Sequence, residues 1–475
     1  MATVAAPTAV EPLYLAGEWV HTEDSFEVRS PYSGAVVATV ARAGAGEARR
    51  AIDAAERAMH DPLPTWRRAD ILERVSQLLR ERAEELAQTI CAEAGKPLKA
   101  ARVEAQRAVS TFTFSAVEAR RLAGEVVPMD ASPAGEGKLA LTLRLPIGVI
   151  GAISPFNFPL NLVAHKIAPA LAAGCAVVLK PASATPLSAI LLAELEEEAG
   201  LPPGWLNVVS GSASAIGDVL VEDERVKLIT FTGSADVGWG IAERAHRKRV
   251  KLELGNATPA IVCDDAPAGT VARLAANAFS FAGQSCISVQ RIFVQDGAWD
   301  EFVPTFVDEV GALKVGDPAD AATDVGPLIT EDERERVLSW IGESKGEVLA
   351  GGDLSEDGLL RPTVIANPAR DDKVQCDEVF GPVVTLTRTT GLDDAIEQAN
   401  ATKYGLQAAI FTSDIHAALA AARRLEFGGV TINEAPTFRA DQMPYGGVKA
   451  SGNTKEGPAW AVREMTEERL VVVQT

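Results

Sequence analysis

The chain alternates continuous apolar runs with helical segments, and this alternation constrains its fold more than any other feature. GVIGAISP at residues 148–155 is such a run, and NLVAHKIAPALAAG at 161–174 is the helical segment that follows it and ends at a glycine. The unit recurs with the runs CAVVLKPA (175–182), WLNVVSG (205–211) and VKLITFTG (226–233). Buried strands that alternate with helices predict a parallel sheet that is covered on both faces.

A second series of such units predicts a second α/β domain. It begins with KLELGNATPAIVCDDA, and a predicted helix, TVARLAANAFSFAG (270–283), comes next. The 475 residues of the chain also exceed what one ordinary core accommodates. Right-handed crossovers make both domains doubly wound and Rossmann-like. The later strands of the series are QRIFVQD, PVVTLTRT, AAIFTSD and GGVTINE.

Segments outside the two series have a different pattern. Residues 12–43 contain short apolar runs broken by Gly and Pro, which predict antiparallel hairpins. Residues 46–123 show the three-and-four spacing of long amphipathic helices. Residues 124–146 predict two strands around a turn, and 467–475 predict an exposed final strand. The 124–146 hairpin is either a bridge between subunits or an ordinary surface hairpin.

Charge and hydropathy exclude two classes of partner. The chain has 45 basic and 65 acidic residues, a net charge of −20, which repels nucleic acid and anionic lipid. The longest uncharged stretch, residues 145–164, contains three prolines and two asparagines, so it is a poor membrane span. We expect neither a nucleic acid nor a membrane as partner.

The cysteines indicate free thiols. Their number is odd, they are widely spread, and no CxxC or Cys/His cluster occurs, so neither a disulfide framework nor a metal site is expected. The first residues lack a basic start followed by an apolar run, so no signal peptide is predicted. Free thiols without a signal peptide predict a cytoplasmic protein. The cysteines are Cys91, Cys175, Cys263, Cys286 and Cys376.

Two predicted strand ends carry residues that suit a dinucleotide. Gly233 and Ser234 end a strand and open a helix with Gly238 in its first turn, where a pyrophosphate can approach free backbone N–H groups. Lys180 and Ser183 end another strand, and a lysine there can hold ribose hydroxyls or a phosphate. Ordinary turn chemistry and a solvated lysine are the alternatives. Two such signals on consecutive units favour the dinucleotide.

Three further polar residues are candidates for chemistry. Asn157 lies between Pro155 and Pro159, which fix the backbone and can aim its amide as an oxyanion donor; the alternative is a turn asparagine. Glu253 lies in an apolar strand and is either a general base with a raised pKa or a strand-edge acid paired with a lysine. Glu378, before a Phe-Gly-Pro turn, is by itself a loop acid. Cys286, in FAGQSCISVQR, is either a packing residue or a nucleophile.

Eight short motifs follow one another along nearly the whole chain. They are SPFNFP, LKPAS, FTGS…VG, LELGN, GQSC, EVFGPV, YGL and MPYGGVKASG. In content and order they resemble the motifs of the NAD(P)-dependent aldehyde dehydrogenase superfamily. The resemblance implies that family's fold: two doubly wound Rossmann-like domains and a small β-hairpin oligomerisation element. It predicts an NAD(P)-binding domain at 1–123 and 146–253, a catalytic domain at 254–445, and bridging segments at 124–145 and 446–475.

The resemblance also implies a role for each matching residue. Cys286 matches the nucleophile, Asn157 the oxyanion-stabilising amide and Glu253 the general base. Lys166 matches a lysine that supports proton movement. The implied cofactor contacts are Lys180 and Ser183 at the adenosine ribose, Gly233, Ser234 and Gly238 at the pyrophosphate, Glu378 at the nicotinamide ribose, Phe156 and Phe380 beside the cofactor, and Ser154, Thr232 and Gly255.

These residue types fit the reaction that the resemblance implies. The Cys286 thiolate attacks an aldehyde, and Asn157 with the Cys286 backbone N–H holds the oxyanion of the thiohemiacetal. Hydride then leaves for the nicotinamide, and Glu253 activates water to release the acid from the thioester. The CoA-dependent branch of the family does not need this glutamate, so Glu253 favours hydrolysis.

Motifs around the site narrow the expected substrate. NATP, SCISVQRIFV and PTFRADQMPYGGVK resemble a subgroup that oxidises lactaldehyde, phosphonoacetaldehyde, sulfoacetaldehyde or glyceraldehyde 3-phosphate. Succinate-semialdehyde dehydrogenases share KPAS, so a semialdehyde is the alternative substrate. We expect Arg439 and Arg107 to clamp an anionic group, although Arg107 on an amphipathic helix also suits a solvated or inter-helix charge. Asn161, Ser285 and Ile287 are the other expected substrate contacts.

The choice of cofactor depends on Ser183. Family members strict for NAD often have a glutamate there, which repels the 2′-phosphate of NADP. Serine removes the repulsion and Lys180 can pair with the phosphate, so NADP should be tolerated beside NAD. The hairpin and the tail resemble subunit-bridging elements and predict a homodimer or a homotetramer.

Two rival functions remain open from sequence. A cysteine hydrolase would pair Cys286 with His165, the histidine closest to a motif, although a packed core histidine is the alternative. A non-catalytic binding or structural protein on the same scaffold would have lost at least one chemical residue. Cys286, Asn157 and Glu253 are all present.

Overall fold

Each of the two predicted series forms a seven-stranded sheet in the computed structural model, which describes residues 10–245 and 247–475. The strands are β1 Val10–Glu11, β2 Leu13–Leu15, β3 Glu18–Val20, β4 Ser25–Arg29, β5 Val36–Ala41, β6 Val126–Val127, β7 Lys138–Pro146, β8 Val149–Ile153, β9 Val177–Lys180, β10 Leu206–Val208, β11 Val226–Thr232, β12 Arg249–Glu253, β13 Pro259–Val262, β14 Arg291–Gln295, β15 Glu347–Ala350, β16 Thr363–Ala366, β17 Val383–Thr389, β18 Gln407–Phe411, β19 Gly429–Ile432 and β20 Thr466–Gln474. The α-helices are α1 Ala45–Ala58, α2 Thr65–Glu81, α3 Ala83–Ala94, α4 Leu98–Arg121, α5 Asn161–Ala173, α6 Leu187–Glu198, α7 Ala213–Glu222, α8 Ala235–Arg244, α9 Thr270–Ala278, α10 Asp296–Gly311, α11 Glu331–Glu343, α12 Lys373–Cys376, α13 Leu392–Asn400, α14 Ile415–Arg424 and α15 Pro458–Glu464.

The first sheet has the order β12-β11-β8-β9-β10-β2-β3. Its first five strands are parallel, and the antiparallel pair β2–β3 extends one edge. The chain runs outward from β8 through β9 to β10 and returns on the other side of β8 with β11. Open α/β sheets leave a ligand crevice where the strand order reverses in this way, at the carboxyl ends of the strands.

The second sheet has the order β15-β16-β17-β14-β13-β18-β19 and is parallel except for β15. The chain passes from the first sheet to the second between Glu253, the last residue of β12, and Pro259, the first residue of β13. This short passage places Glu253 at the seam between the two sheets.

Separate apolar cores support the two sheets. The first contains Phe112 and Trp205, and the second contains Phe279, Phe306 and Phe411. Helix α5 ends at Gly174, which has a φ of 85°, a left-handed conformation that suits glycine.

The predicted 124–146 hairpin and final strand join in one small sheet of order β20-β7-β6. Strand β20 pairs with β7 without a break from Thr466 opposite Pro146 to Gln474 opposite Lys138. Exposed apolar side chains on this sheet include Leu139, Leu143 and Leu470. The remaining sheet, β1-β5-β4, belongs to the N-terminal region. The antiparallel pairs β2–β3 and β4–β5 confirm the hairpins predicted for residues 12–43, and β1, which precedes that range, pairs with β5 in parallel.

Helix α9 is shorter than the sequence predicts. It ends at Ala278 instead of continuing to Gly283, because Phe281 and Ala282 both adopt left-handed backbone conformations, with φ values of 50° and 51°. L-residues avoid this region unless their surroundings impose it. The turn directs the next residues toward the seam.

Three expectations from the sequence concern a membrane as partner, a signal peptide and the domain boundaries. None of the helices within 10–245 and 247–475 is long and apolar enough to cross a membrane. The first nine residues, on which the expected lack of a signal peptide partly rests, lie outside the described residues. The proposed domain boundaries stay a prediction.

Candidate active site

Cys286 lies in a loop that begins after the turn at the end of α9 and ends at the start of β14. A glycine at the beginning of this loop holds it in place. Gly283 has a φ of 71°, and a Cβ there would collide with the backbone carbonyl of Gly381. The close approach fixes the Cys286 loop against the segment that carries Glu378 and Phe380. Only glycine permits both the backbone conformation and the contact.

Asn157 follows β8 and points at the same loop. Its Nδ2 donates to the Gln284 carbonyl oxygen at 2.9 Å, and the side chain is buried. The backbone N–H of Cys286 has no hydrogen-bond partner among the residues that the structure describes. An amide held in one orientation and a free backbone N–H are two donors suited to an oxyanion on a carbon atom that is bonded to the Cys286 sulfur.

Glu253 is buried at the end of β12, and neither carboxylate oxygen has a partner within the described chain. Burial and the negative charge of Glu456 raise the pKa of Glu253 to about 8, although Arg439 and Lys166 act in the opposite direction. A carboxyl group with such a pKa is poised for proton exchange near neutral pH.

Lys166 lies on α5, behind Thr232 and outside the lining of the main cleft. Its Nζ donates to Thr232 Oγ1 at 2.6 Å and to Thr230 Oγ1 at 3.2 Å, and lies 3.6 Å from Glu456. Burial lowers the pKa of Lys166 more than Glu456 and Glu253 raise it. Lys166 therefore connects the end of β11 with Glu456.

A cleft of about 930 Å³ opens between the sheets and contains most of the predicted site. Asn157, Glu253 and Cys286 line it, so the structure brings together three residues that are far apart in sequence. Of the predicted cofactor contacts, those in its lining are Ser154, Phe156, Lys180, Thr232, Gly233, Ser234, Gly255, Glu378 and Phe380.

The cleft has the features that a dinucleotide needs. A Cβ at Gly255 would collide with the Glu378 carboxylate, and one at Gly233 would meet the tip of the Phe231 ring at 2.7 Å, so a side chain at either position would displace a group that lines or borders the cleft. Ser154 Oγ is buried there without a partner within the described residues. Phe156 and Phe380 lie edge to face, with ring centroids 5.8 Å apart.

Two predicted cofactor residues lie just outside the cleft lining. Ser183 Oγ donates to the Gly211 carbonyl at 2.8 Å, while the neighbouring Ala182 and Ala184 line the cleft. Gly238 lies in the first turn of α8, where a Cβ would meet Leu254 at 2.5 Å. Gly238 thus lets α8 approach the segment after β12.

Lys180 and Glu378 are two ionisable groups of the cleft, the first buried and the second half-buried. Lys180 is buried rather than solvated, and burial lowers its pKa to about 8. Glu378 accepts a hydrogen bond from the backbone N–H of Asn256 at 2.9 Å, and burial raises its pKa to about 7 despite that bond.

The two arginines of the predicted anion clamp already have carboxylate partners and do not line the cleft. Arg439 Nη2 lies 2.8 Å from Glu456 Oε2, and its side chain is only 5 % exposed. Arg107 donates two hydrogen bonds to Asp441, at 2.9 and 3.4 Å, and its side chain is 21 % exposed. The binding of an anionic substrate group by these arginines therefore stays a prediction, and the Arg107 side chain is the more exposed of the two.

The other expected substrate contacts surround these arginines and Cys286. Asn161 Nδ2 donates to Asp441 Oδ1 at 3.2 Å, next to Arg107. Ser285 and Ile287 flank Cys286, and Ile287 is buried. None of the three lines the main cleft.

His165, the candidate partner of a hydrolase, belongs to the Asp441 cluster. It is buried, and its Nε2 lies 3.0 Å from Asp441 Oδ1, so it is a hydrogen-bonded rather than an apolar core histidine. The side chain that contacts the Cys286 sulfur is Tyr445, whose hydroxyl lies 2.9 Å away. No group of metal-ligating side chains suited to an ion is found in the described parts of the chain.

The sequence did not single out three residues of this region: Glu456, Tyr445 and Asp441. Tyr445 lies in the quoted motif MPYGGVKASG, but a tyrosine in a glycine-rich turn carries no signal of a contact 159 residues away. In the sequence, Glu456 and Asp441 cannot be told from the many exposed acids of this acidic chain. Only the structure distinguishes them, because both are buried and each forms an ion pair with an arginine.

Comparison with known proteins gives consistent relatives. A family model described as "Aldehyde dehydrogenase family" matches residues 19–471. A 3-sulfolactaldehyde dehydrogenase of Priestia aryabhattai is 43 % identical over 464 residues, 97 % of each chain. The structure of aldehyde dehydrogenase 21 from Physcomitrella patens with the reaction product succinate has a TM-score of 0.95, 39 % identity and 99 % coverage of each chain. Glyceraldehyde-3-phosphate dehydrogenase GapN from Methanocaldococcus jannaschii, complexed with NADP, has a TM-score of 0.91 and 40 % identity, with 96 % of this chain and all of that chain covered.

The buried Arg439–Glu456 pair predicts a large stability effect. Arg439→Met leaves the Glu456 carboxylate buried with only the more distant Lys166 as a cation, so we expect a loss of unfolding free energy on the order of 3 kcal/mol. The midpoint of thermal or chemical unfolding measures it. The matched control is Arg424→Met, which breaks an exposed ion pair with Asp393 and should cost less than about 1 kcal/mol. Equal losses in both variants contradict the structural role of the buried pair.

Proposed function

The chain belongs to the aldehyde dehydrogenase family, and from this premise we propose that it oxidises a small hydroxylated or anionic aldehyde to the carboxylic acid. It is an NAD(P)-dependent enzyme. The observation that carries the proposal is the meeting of Cys286, Asn157 and Glu253 in one cleft with a dinucleotide-sized lining.

The substrate class is supported by the names of the relatives. 3-Sulfolactaldehyde carries a hydroxyl and a sulfonate, and glyceraldehyde 3-phosphate carries a hydroxyl and a phosphate. Succinate, the reaction product in the structure of aldehyde dehydrogenase 21, is a dicarboxylate. A short aldehyde with an anionic end is common to all three. A semialdehyde substrate is the second candidate, favoured by the succinate complex.

The first half of the reaction uses Cys286 and its two donors. The thiol gives its proton to the Glu253 carboxylate, and the thiolate attacks the aldehyde carbon. Asn157 Nδ2 and the Cys286 backbone N–H hold the oxyanion of the thiohemiacetal, a contact that strengthens as negative charge develops. A nicotinamide cofactor bound in the cleft would supply the hydride acceptor, and loss of the hydride from the thiohemiacetal carbon leaves a thioester on Cys286.

The second half of the reaction depends on Glu253. After its proton has passed on to solvent, Glu253 takes a proton from water as the water attacks the thioester; the nearby charge of Lys166 favours the carboxylate form of Glu253. The carboxylic acid leaves and Cys286 is restored. Glu253 acts twice as a proton acceptor, which suits an unpartnered carboxylate with a pKa of about 8.

The residues of the cleft would hold the cofactor in a defined orientation. Gly233 and Ser234 open α8, whose free backbone N–H groups suit the pyrophosphate. Glu378 would bind the nicotinamide ribose, and Lys180 and Ser183 the adenosine ribose. We propose that NADP is accepted as well as NAD, since no carboxylate at position 183 repels the 2′-phosphate.

Arg107 is the better placed member of the proposed anion clamp. Asp441 holds its guanidinium by two hydrogen bonds, and part of the side chain remains exposed. A fixed guanidinium can still offer its remaining N–H groups to a sulfonate, phosphate or carboxylate. Arg439 would act indirectly, because it is buried against Glu456 and Tyr445.

We further propose that the enzyme is a cytoplasmic homodimer or homotetramer. The exposed apolar side chains of the β20-β7-β6 sheet support association through this sheet. Five free thiols support a reducing compartment.

An aldehyde panel tests the proposed function. We expect kcat/KM, measured by cofactor reduction, to be highest for short aldehydes with a 2-hydroxyl and a terminal sulfonate, phosphate or carboxylate, and at least tenfold lower for unsubstituted aldehydes of equal length. Arg107→Gln should raise KM for the anionic members and leave the neutral members unchanged.

The control for the panel is Cys286→Ala, which should abolish turnover of every aldehyde while cofactor binding persists. Retained activity in this variant contradicts the assigned nucleophile. Equal kcat/KM for anionic and neutral aldehydes contradicts the substrate class, and strong preference for succinate semialdehyde favours the second candidate.

The pKa of Glu253 predicts the pH dependence of thioester hydrolysis. Its folded-state pKa is raised, so the carboxylate form needed as a base is scarce below about pH 8 and dominates above it. The single-turnover rate of acid release should therefore rise with pH and level off above about 8. Glu253→Gln should lower this rate by about 10²–10⁴ and abolish the rising limb. If the rate of acid release in Glu253→Gln still rises with pH as in the unaltered enzyme, the general base is a group other than Glu253.

Ser183 predicts the use of both cofactors. We expect kcat/KM for NADP to equal or exceed that for NAD, because nothing negative at position 183 opposes the 2′-phosphate. Ser183→Glu should raise KM for NADP at least tenfold and change KM for NAD little, while Ser183→Gln, of equal size, should leave the NADP preference largely intact. Strict use of NAD by the unaltered enzyme contradicts this account.

A further inference from the structure

The Cys286 sulfur has one direct side-chain partner among the described residues, the Tyr445 hydroxyl, at 2.9 Å. We propose that Tyr445 is a further catalytic residue of the oxidation, which donates a hydrogen bond to the Cys286 thiolate and holds the sulfur ready for attack on the aldehyde. This inference rests on the proposed function, since it takes Cys286 as the nucleophile.

Tyr445 is held rigidly enough to aim its hydroxyl. Its side chain is 2 % exposed, and its backbone exchanges two hydrogen bonds with Glu456, of 3.0 and 2.6 Å. The guanidinium of Arg439 lies over the ring, 3.9 Å from the centroid, and is fixed by Glu456. Ile287 and Leu406 pack beside the ring. The phenol therefore has little freedom except rotation of its O–H bond.

The direction of the hydrogen bond follows from the two groups. Burial, together with the nearby Cys286 and Glu253, raises the pKa of Tyr445 well above its usual 10, so the phenol keeps its proton across the working range of pH. A thiolate can only accept. Tyr445 is consequently the donor whenever Cys286 is ionised, and hydrogen bonds to charged acceptors are stronger than neutral ones.

The thiolate needs such a donor because its other surroundings oppose ionisation. Burial and the carboxylates of Glu253 and Glu378 raise the pKa of Cys286 well above 9, whereas Tyr445 and Arg439 lower it. Arg439 acts across the ring of Tyr445 rather than at the sulfur. Tyr445 transfers no proton; the thiol proton goes to Glu253, and the hydrogen bond weakens when the sulfur bonds to carbon and loses its charge.

Alkylation of Cys286 as a function of pH tests this role without any aldehyde. The rate of iodoacetamide modification of the Cys286 peptide, followed by mass spectrometry in the full-length enzyme, reports the thiolate fraction. Tyr445→Phe should move the apparent pKa of Cys286 upward by about one to two units and slow alkylation near neutral pH about 10- to 100-fold. kcat/KM for the best aldehyde should fall in parallel and recover at high pH.

Two comparisons separate a donor from a merely structural tyrosine. Tyr14→Phe, at another buried tyrosine in the first sheet, should leave the alkylation profile unchanged. A fluorinated tyrosine at position 445, whose phenol is the stronger donor, should move the pKa of Cys286 downward.

An alkylation profile that is the same in Tyr445→Phe and the unaltered enzyme overturns the inference, as does an upward shift with the fluorinated residue. These outcomes are independent of the proposed function. The proposed function fails if dehydrogenase activity survives the substitution Cys286→Ala.

Discussion

The short passage between the two sheets is the constraint on which the rest of the structure depends. Residues 254–258 alone connect the end of β12 to the start of β13, so these two strand ends must stay close together. Glu253 is therefore held at the seam, and Asn256 in the passage donates its backbone N–H to Glu378 of the second unit. The cleft that contains Glu253, Gly255 and Glu378 forms around this connection.

At this junction between the two sheets, two buried carboxyl groups have opposite pKa shifts because only one of them has a cationic hydrogen-bond partner. Glu253 has none and its pKa is raised by burial and by Glu456, whereas burial of Glu456 is outweighed by Arg439 and Lys166, which lower its pKa to about 2. Two buried carboxylates so close together are driven to different protonation states. Glu456 serves as a fixed anion, and Glu253 remains free to exchange protons. The same anion anchors Arg439, which in turn covers Tyr445, so the fixed charge also supports the environment of the sulfur.

The fold was largely predictable because it follows from local patterns. The alternation of apolar runs and helices predicted both parallel sheets, and glycines marked helix ends such as that of α5. The predicted end of α9 was wrong, because Phe281 and Ala282 adopt left-handed conformations that their sequence does not signal. The roles of Cys286, Asn157 and Glu253 came from the resemblance of their motifs. Contacts such as Arg107 to Asp441, 334 residues apart, have no local signal at all.

The central claim is that Cys286 carries the acyl group between oxidation and hydrolysis. The most direct measurement is the intact and peptide mass of Glu253→Gln after mixing with an anionic 2-hydroxyaldehyde and NADP at alkaline pH. There the Cys286 thiol ionises without Glu253, whose charge no longer raises its pKa, so this variant should form the thioester and release it slowly. We expect one added acyl group, located on the Cys286 peptide and removed by hydroxylamine. Cofactor reduction with no adduct, or an adduct on any residue other than Cys286, would contradict it.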